Sequence, residues 1–332
     1  MQIMNRELVE ANSVPGHLKR FGTRNPETTF YVIRQPGTGR GLFSLFSSVL
    51  CHLDLCDKLE CLPVIDFQNF PCVYNDADVL STSNAWEFYF EPINQITVEE
   101  VYESQRVFLS QPCYPAGYSY SITNEPALRE VYRKYIRIKN QITQTVDQYY
   151  ANHFSEHTVL GVHFRGQEMR IAPGHWFPPS KSQITTIITT MLKRFPFDRI
   201  FAVSEDSGHI SFLENQFGPM VISNNHFRTS GDNAYNYRPR PQHHFLLGRE
   251  VLIDTLLLAR CHGLVACTSN VAECARFFNN SQYLAEIKIN NGPNSNYKLI
   301  ARYLWFIKSI LPTRLGGFHK KFRIKTPQSF DF

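Results

Sequence analysis

Thr158-Val-Leu-Gly-Val-His163-Phe-Arg165-Gly166 is an apolar run of strand length that stops on a charged residue and a glycine. An uninterrupted apolar stretch of this size, rich in β-branched residues, reads as a strand buried on both faces. The elements downstream of it decide the fold. The spacing predicts a helix over 180–193, a strand over 199–204, a helix near 209–217 and a strand over 220–223. After a polar loop come a helix over 246–260, a strand over 263–268, a helix over 270–278 and a strand over 283–289. Five strands alternating with helices mark a doubly wound α/β domain with a parallel sheet.

Toward the N-terminus, Phe30-Tyr-Val-Ile33 reads as the core of a buried strand over 29–34, and the glycine-punctuated loop 35–41 follows. Leu42, Leu45, Phe46, Val49, Leu50, Leu53 and Cys56 then recur three and four apart, the stripe of an amphipathic helix. Leu62–Asp66 is another short strand, which completes one βαβ unit. Residues 1–28 are polar and read as an irregular arm. Between 67 and 124 the pattern weakens into loops around Asn84-Ala-Trp-Glu-Phe-Tyr-Phe-Glu-Pro92. One long helix is expected from 126 to about 150. The expected domains are 1–155 and 156–295. Residues 296–332 add a helix that can cross back to the first domain and a tail with Arg314, Lys320, Lys321, Arg323 and Lys325 against Asp331.

A chain of 332 residues with 43% apolar side chains has too much hydrophobic material for a disordered or fibrous protein. Single cores stop growing at about 250–300 residues, so two lobes with a cleft are expected. The net charge of +5 is mild and favours an anionic small ligand over nucleic acid. Eight cysteines occur without a CxxC pair and read as small buried hydrophobes with reduced thiols. A cytoplasmic location is expected, because the start of the sequence lacks a secretory pattern and no run of about 18 apolar residues occurs.

In an open parallel sheet, ligands bind beyond the carboxyl ends of the strands. The strand over 158–164 delivers His163, Arg165 and Glu168 there. A guanidinium at that place can pair with a diphosphate and stabilise charge on a leaving group, or else form an ordinary surface ion pair. Thr268, Ser269 and Asn270 end another strand and open a helix, which makes either an anion site or a plain N-cap. With Arg165 on a neighbouring strand, the anion reading is the better one. Asp254 lies inside an apolar helix, where a carboxylate needs a partner. A base or a ribose would serve, and so would Arg260 or nearby backbone. Ser204 and Asp206 offer acceptors to a nucleoside, or cap the next helix. Gly39 belongs to Gly37-Thr-Gly-Arg-Gly41, which fits neither common phosphate-loop pattern and reads as a turn that lets a ligand or the opposite lobe approach closely. His243-His244 is not expected to bind metal.

Val159–Gly166 followed by His175 and Pro178, Ile200-Phe-Ala-Val-Ser204-Glu-Asp206, and Leu252-Ile-Asp254 with Cys267-Thr-Ser269-Asn270 together resemble the three motif regions of the GT-B fucosyltransferases. These include the α-1,6-fucosyltransferases, the rhizobial nodulation-factor enzymes and the protein O-fucosyltransferases. Gly39–Leu53, Pro63-Val-Ile-Asp66 and Asn84-Ala-Trp86-Glu look like bacterial and viral members. The resemblance implies a GT-B fold of two Rossmann-like domains facing across a cleft, with the nucleotide in the C-terminal lobe. The acceptor, a glycan or a protein, would lie mainly on the N-terminal lobe. It implies inverting transfer of L-fucose from GDP-fucose without a metal or other cofactor. Arg165 would meet the diphosphate, His163 the donor and Asp254 the nucleoside, with Thr268, Ser269 and Asn270 at the phosphate-binding helix start.

The sequence also departs from that family. Arg165-Gly166 stands where α-1,6 enzymes carry two arginines, and Ile171-Ala-Pro173 occupies the stretch of their catalytic glutamate. Candidate bases are therefore Glu168, His175, Asp66 and Glu87. Two other readings are a GT-B transferase using a different nucleotide sugar, and a catalytically lapsed module that binds nucleotide sugar or glycan. The basic tail reads as a solvated segment or as a contact with an anionic membrane surface.

Overall fold

The computed structural model describes residues 18–35, 39–77, 79–119, 121–123, 125–230, 233–318 and 322–327. The first part of the expected arm, residues 36–38 of the glycine loop, and Lys320, Lys321 and Asp331 of the tail lie outside the described residues. The chain divides into two units, one of Met1–Thr143 with Arg238–Arg249, the other of Gln144–Tyr237 with Glu250–Phe332.

In the first unit, β1 (Phe30–Arg34) lies between β2 (Leu62–Asp66) and β3 (Val107–Leu109), all parallel. Alternate side chains point to opposite faces. Phe30 and Val32 pack with Val98 and Val101, whereas the Tyr31 hydroxyl turns to His52 Nδ1 at 3.1 Å on α1 (Leu42–Lys58). β3 went unread in the sequence because three residues show no period. The described end of the arm is tied to this sheet, through Lys19 paired with Val107 and Arg24 with Ser104. Val98–Val101 form a single helical turn, α2.

The helix expected over 126–150 is in fact two, α3 (Pro126–Tyr135) and α4 (Asn140–His153). Between them the backbone is drawn into pairing with the aromatic block. Glu91 N donates to Arg137 O at 2.8 Å, Lys139 N donates to Tyr89 O at 3.0 Å, and Phe90 bridges Ile138. The block itself is a 3₁₀ turn, Ala85–Phe88, capped by Asn84, with Trp86 stacked on Phe90 at 4.2 Å. An irregular turn with its aromatic rings inside offers no periodicity to read.

The second unit holds β4 (Val159–His163), α5 (Lys181–Arg194), β5 (Arg199–Val203), α6 (Ser207–Phe217) and β6 (Val221–Ile222). After α7 (His243–Arg260) follow β7 (Gly263–Cys267), α8 (Asn270–Asn279), β8 (Ala285–Ile289) and α9 (Lys298–Ile310). The sheet order is β6-β5-β4-β7-β8, all parallel. Leu160, Val162, Ile200, Val265 and Ile287 form its buried core with Ile184, Ile188 and Met191 of α5. Ser180 and Gln183 start α5 with a reciprocal capping box. Gly161 lets α7 pack closely on β4, because a Cβ there would lie 3.0 Å from Leu258 and 3.1 Å from Cys261.

The last helix belongs to the second unit, where the Trp305 indole donates to Pro178 O at 2.9 Å and its ring packs near Phe318. The described part of the tail is not a loose solvated segment. Lys325 pairs antiparallel with Glu286 of β8, and Phe322 and Ile324 pack on the core. Of the eight cysteines, all free, only Cys113 is exposed. No helix among the described residues is long and apolar enough to cross a membrane.

α7 owes its start to a distant residue. The Asp76 carboxylate accepts from His244 N at 2.8 Å and Phe245 N at 3.0 Å, and Arg238 closes on it at 3.1 Å. These amides have no carbonyl of their own helix to bond. Asp76→Ala is expected to cost about 1–2 kcal/mol of stability in urea unfolding, as loss of an N-cap does. An unchanged midpoint would contradict the capping role.

Candidate functional site

The sheet order places a switch point between β4 and β7, because the chain leaves β4 toward β5 and leaves β7 toward β8 on the opposite side. Crevices for ligands form at such points, beyond the carboxyl ends of the strands. Here Arg165 reaches from the end of β4 to the end of β7, and its Nη1 donates to Thr268 O at 3.0 Å. Its Nη2 lies 3.1 Å from Met169 Sδ, and its remaining N–H groups have no acceptor among the described residues. Ser269 caps α8, accepting from Ala272 N at 3.1 Å, and its Oγ sits 3.4 Å from His163 Nδ1. Asn270 is the first residue of the helix, whose opening amides and positive dipole end favour an anion.

His163, Arg165, Thr268, Ser269 and Asn270 are thus brought together by two adjacent strand ends. Burial, and after it the Arg165 charge, pushes the His163 imidazole down to about 3, so the ring is neutral at ordinary pH. Arg165 is the only formal charge of this group. Two other arginines of the same unit are paired with carboxylates: Arg260 with Asp147 at 2.6 Å, and Arg276 with Glu286.

On the β5 side, Gly166 N donates to Glu205 Oε1 at 2.9 Å. A Cβ on residue 166 would sit 2.5 Å from that carboxylate, so the second arginine of the α-1,6 pattern would require Glu205 to move. Burial raises the pKa of Glu205. Ser204 and Asp206 serve the start of α6. The Ser204 hydroxyl accepts from Asp206 N at 3.1 Å, and Asp206 accepts from His209 N at 3.3 Å. Asp206 Oδ2 is buried and has no hydrogen-bond partner among the described residues. His209 stacks on Phe164 at 3.7 Å, and burial pushes its pKa down to about 4.

Asp254 finds its partners in the loop after β6. Asn224 Nδ2 donates to it at 2.7 Å and His226 Nδ1 lies 3.1 Å away, whereas Arg260 is occupied by Asp147. Arg228 organises the same loop by donating to the carbonyls of Ser204, His226 and Asn224. Sequence reading missed these three residues. The available signal was Asn224-Asn-His226-Phe-Arg228, a polar cluster just past a strand end.

Glu168 lies in the 3₁₀ turn Gln167–Arg170, directly after the Arg165 segment. His175 is exposed, and desolvation followed by the Arg165 charge lowers its pKa. Asp66 is removed as a base candidate. It is fully buried and accepts from Gln68 N, Asn69 N, Asn69 Nδ2 and the Tyr102 hydroxyl. Glu87 instead lines an open cavity of about 700 Å³ in the first unit, with Trp86, Gln68, Asn94 and Glu99. Among the described residues no basic side chain lines that cavity, which suits a neutral hydroxylated ligand and disfavours a phosphate. Gly39, in the same unit, is exposed, and a Cβ on it would meet nothing within 4 Å. Among the described residues, no three His, Cys, Asp or Glu side chains are placed to hold a metal ion.

No protein-family model matches the sequence, and no characterised protein matches it in sequence. Solved structures do match. Fucosyltransferase NodZ from Bradyrhizobium in its selenomethionine form gives a TM-score of 0.55 at 17% identity, over 80% of this chain and 95% of NodZ. NodZ α-1,6-fucosyltransferase co-crystallised with GDP gives 0.55 at 18% identity, over 80% and 96%. The form soaked with GDP-fucose gives 0.54 at 18%, over 79% and 95%. The chain has the GT-B fold of these enzymes. At this identity the likeness is one of fold, and what this chain's GT-B site can do rests on its own residues.

Those residues predict a pH dependence of stability. His163 and His209 have folded pKa values of about 3 and about 4, below the value of about 6.5 in an unfolded chain. They take up protons only on unfolding, so their contribution is complete above about pH 6.5 and is lost as pH falls toward the folded values. Between about pH 7 and about pH 5 each should cost about 2 kcal/mol. Urea unfolding at the two pH values measures the loss, and NMR of the imidazole signals should show both rings still neutral at the lower one. Protonation of either ring in the folded protein near pH 6 would contradict the assignment.

Proposed function

We propose that this chain is a glycosyltransferase that takes its sugar from a GDP-linked donor, with L-fucose as the sugar and a glycan or protein as acceptor. One observation carries the reading: Arg165, at the switch point of the five-stranded sheet, is hydrogen-bonded to a carbonyl and a thioether, not to a carboxylate. It makes no ion pair among the described residues, although the Glu205 carboxylate is near enough to feel its charge, and it stands beside the opening turn of α8. A diphosphate satisfies both at once. The GDP and GDP-fucose held by NodZ, which shares the fold, support the choice of nucleotide.

In the proposed reaction an acceptor hydroxyl attacks C1 of the sugar from the face opposite the diphosphate. The C1–O bond breaks with its electron pair leaving on GDP, and the acceptor proton passes to a protein base. Arg165 and the α8 amides stabilise the charge that develops on the departing diphosphate, the part a metal ion plays in other transferases. Neutral His163 can donate or accept a hydrogen bond beside it but supplies no proton at ordinary pH. Glu168 and His175 are the candidate bases, both on the segment that follows Arg165. The acidic cavity of the first unit, with Glu87, is the proposed place for acceptor hydroxyls.

A second reading is favoured by a specific observation. Ile171-Ala-Pro173 stands where the α-1,6 enzymes keep their glutamate, which would make the chain a binding module for nucleotide sugar without turnover. Calorimetric titration with GDP, UDP and CDP tests the common part. GDP is expected to bind best, and Arg165→Ala to weaken it at least about tenfold. Equal binding of all three would overturn the donor assignment. Hydrolysis of GDP-fucose against GDP-mannose then separates the readings. Faster release of fucose supports the fucosyltransferase, faster release of mannose another donor, and binding without any turnover the lapsed module.

A further inference from the structure

Helix α9 is apolar on two opposite sides. Ala301 and Trp305 face inward, where Trp305 packs with Phe177 and Phe318. On the other side stand Leu299, Ile300, Tyr303, Phe306, Ile307 and Ile310, spaced three and four apart and all exposed. Leu299 is 80% and Ile310 82% exposed, values that leave nearly the whole side chain in water. A contiguous apolar face of this kind marks a contact site. One margin is basic: Arg302 and, beyond it, Lys298 lie along the same side of the face, and from Lys298 to Lys325 the sequence has eight Lys and Arg and no Asp or Glu.

We propose that this face of α9 docks the protein on an anionic lipid surface. The helix has 13 residues, about 20 Å long, well short of a hydrocarbon core of about 30 Å. It therefore lies in the plane of the interface, with aliphatic side chains among the acyl chains and Lys and Arg at the phosphates. Tyr303 on the apolar face, and Tyr297 just before the helix, have the ring type that settles at headgroup level. A second copy of the same face is a poorer occupant, because pairing two such helices would bring their basic margins together. The tail that the sequence suggested for membrane contact is held on β8 in its described part. The apolar surface belongs to the helix before it.

The proposal is independent of the nucleotide reading. Its test uses the full chain, sedimented with vesicles of phosphatidylcholine alone or with about 30% phosphatidylglycerol. The wild type is expected to pellet with the anionic vesicles, less so at high salt, and to stay in solution with the neutral ones. Leu299→Gln with Tyr303→Gln and Ile310→Gln should lower the bound fraction about tenfold or more. Because all three side chains are exposed, GDP binding and thermal unfolding should be unchanged. A wild type that ignores anionic vesicles, or a triple variant that binds them equally well, would overturn the proposal. A dimer seen by light scattering, abolished by the triple variant and accompanied by no vesicle binding, would overturn it in favour of a second copy.

Discussion

The 3.0 Å hydrogen bond from Arg165 to the Thr268 carbonyl links the ends of β4 and β7, and the arrangement of the candidate site is built on it. A guanidinium held by a backbone carbonyl keeps its full charge, whereas one held by a carboxylate loses most of its pull on a ligand. The site is built around that charge. His163 is kept neutral, Ser269 caps the adjoining helix through Ala272 N and leaves the amides of Asn270 and Val271 outside the cap, and Gly166 allows the chain to turn against Glu205. Arg228 repeats the device on the next strand end, where it binds only carbonyls and fixes the loop that holds Asp254.

The two units differ in the sign of their chemistry. The strand ends of the five-stranded sheet present arginine and a helix N-terminus, which suit phosphate. The cavity of the three-stranded unit presents Glu87 and Glu99 with no basic side chain among the described residues, which suits hydroxyl groups.

Much of this was legible from residue order. The five strands of the second unit are apolar runs broken by helical stripes, and their ends delivered Arg165, Ser269 and Asn270 as one group. The features that escaped had physical causes. β3 is three residues long, too short for a period, and the helical stripe over 126–150 concealed a break that only pairing with Phe90 imposes. Asp66 is a candidate base in the sequence, but hydrogen bonds from four donors hold its carboxylate in the structure. Asn224, His226 and Arg228 sit in a loop with no periodicity, and their roles appear only when β6 brings them against α7. Sequence pattern reports burial well, because burial repeats along an element. It reports polar partnership poorly, because partners come from different elements.

The central claim is that a diphosphate occupies the switch point between β4 and β7. A crystal structure of the protein with GDP tests it most directly. The two phosphates are expected within hydrogen-bond distance of the Arg165 guanidinium and of the first amides of α8. Density for the diphosphate away from both, with Arg165 still bound only to Thr268 and Met169, would contradict it.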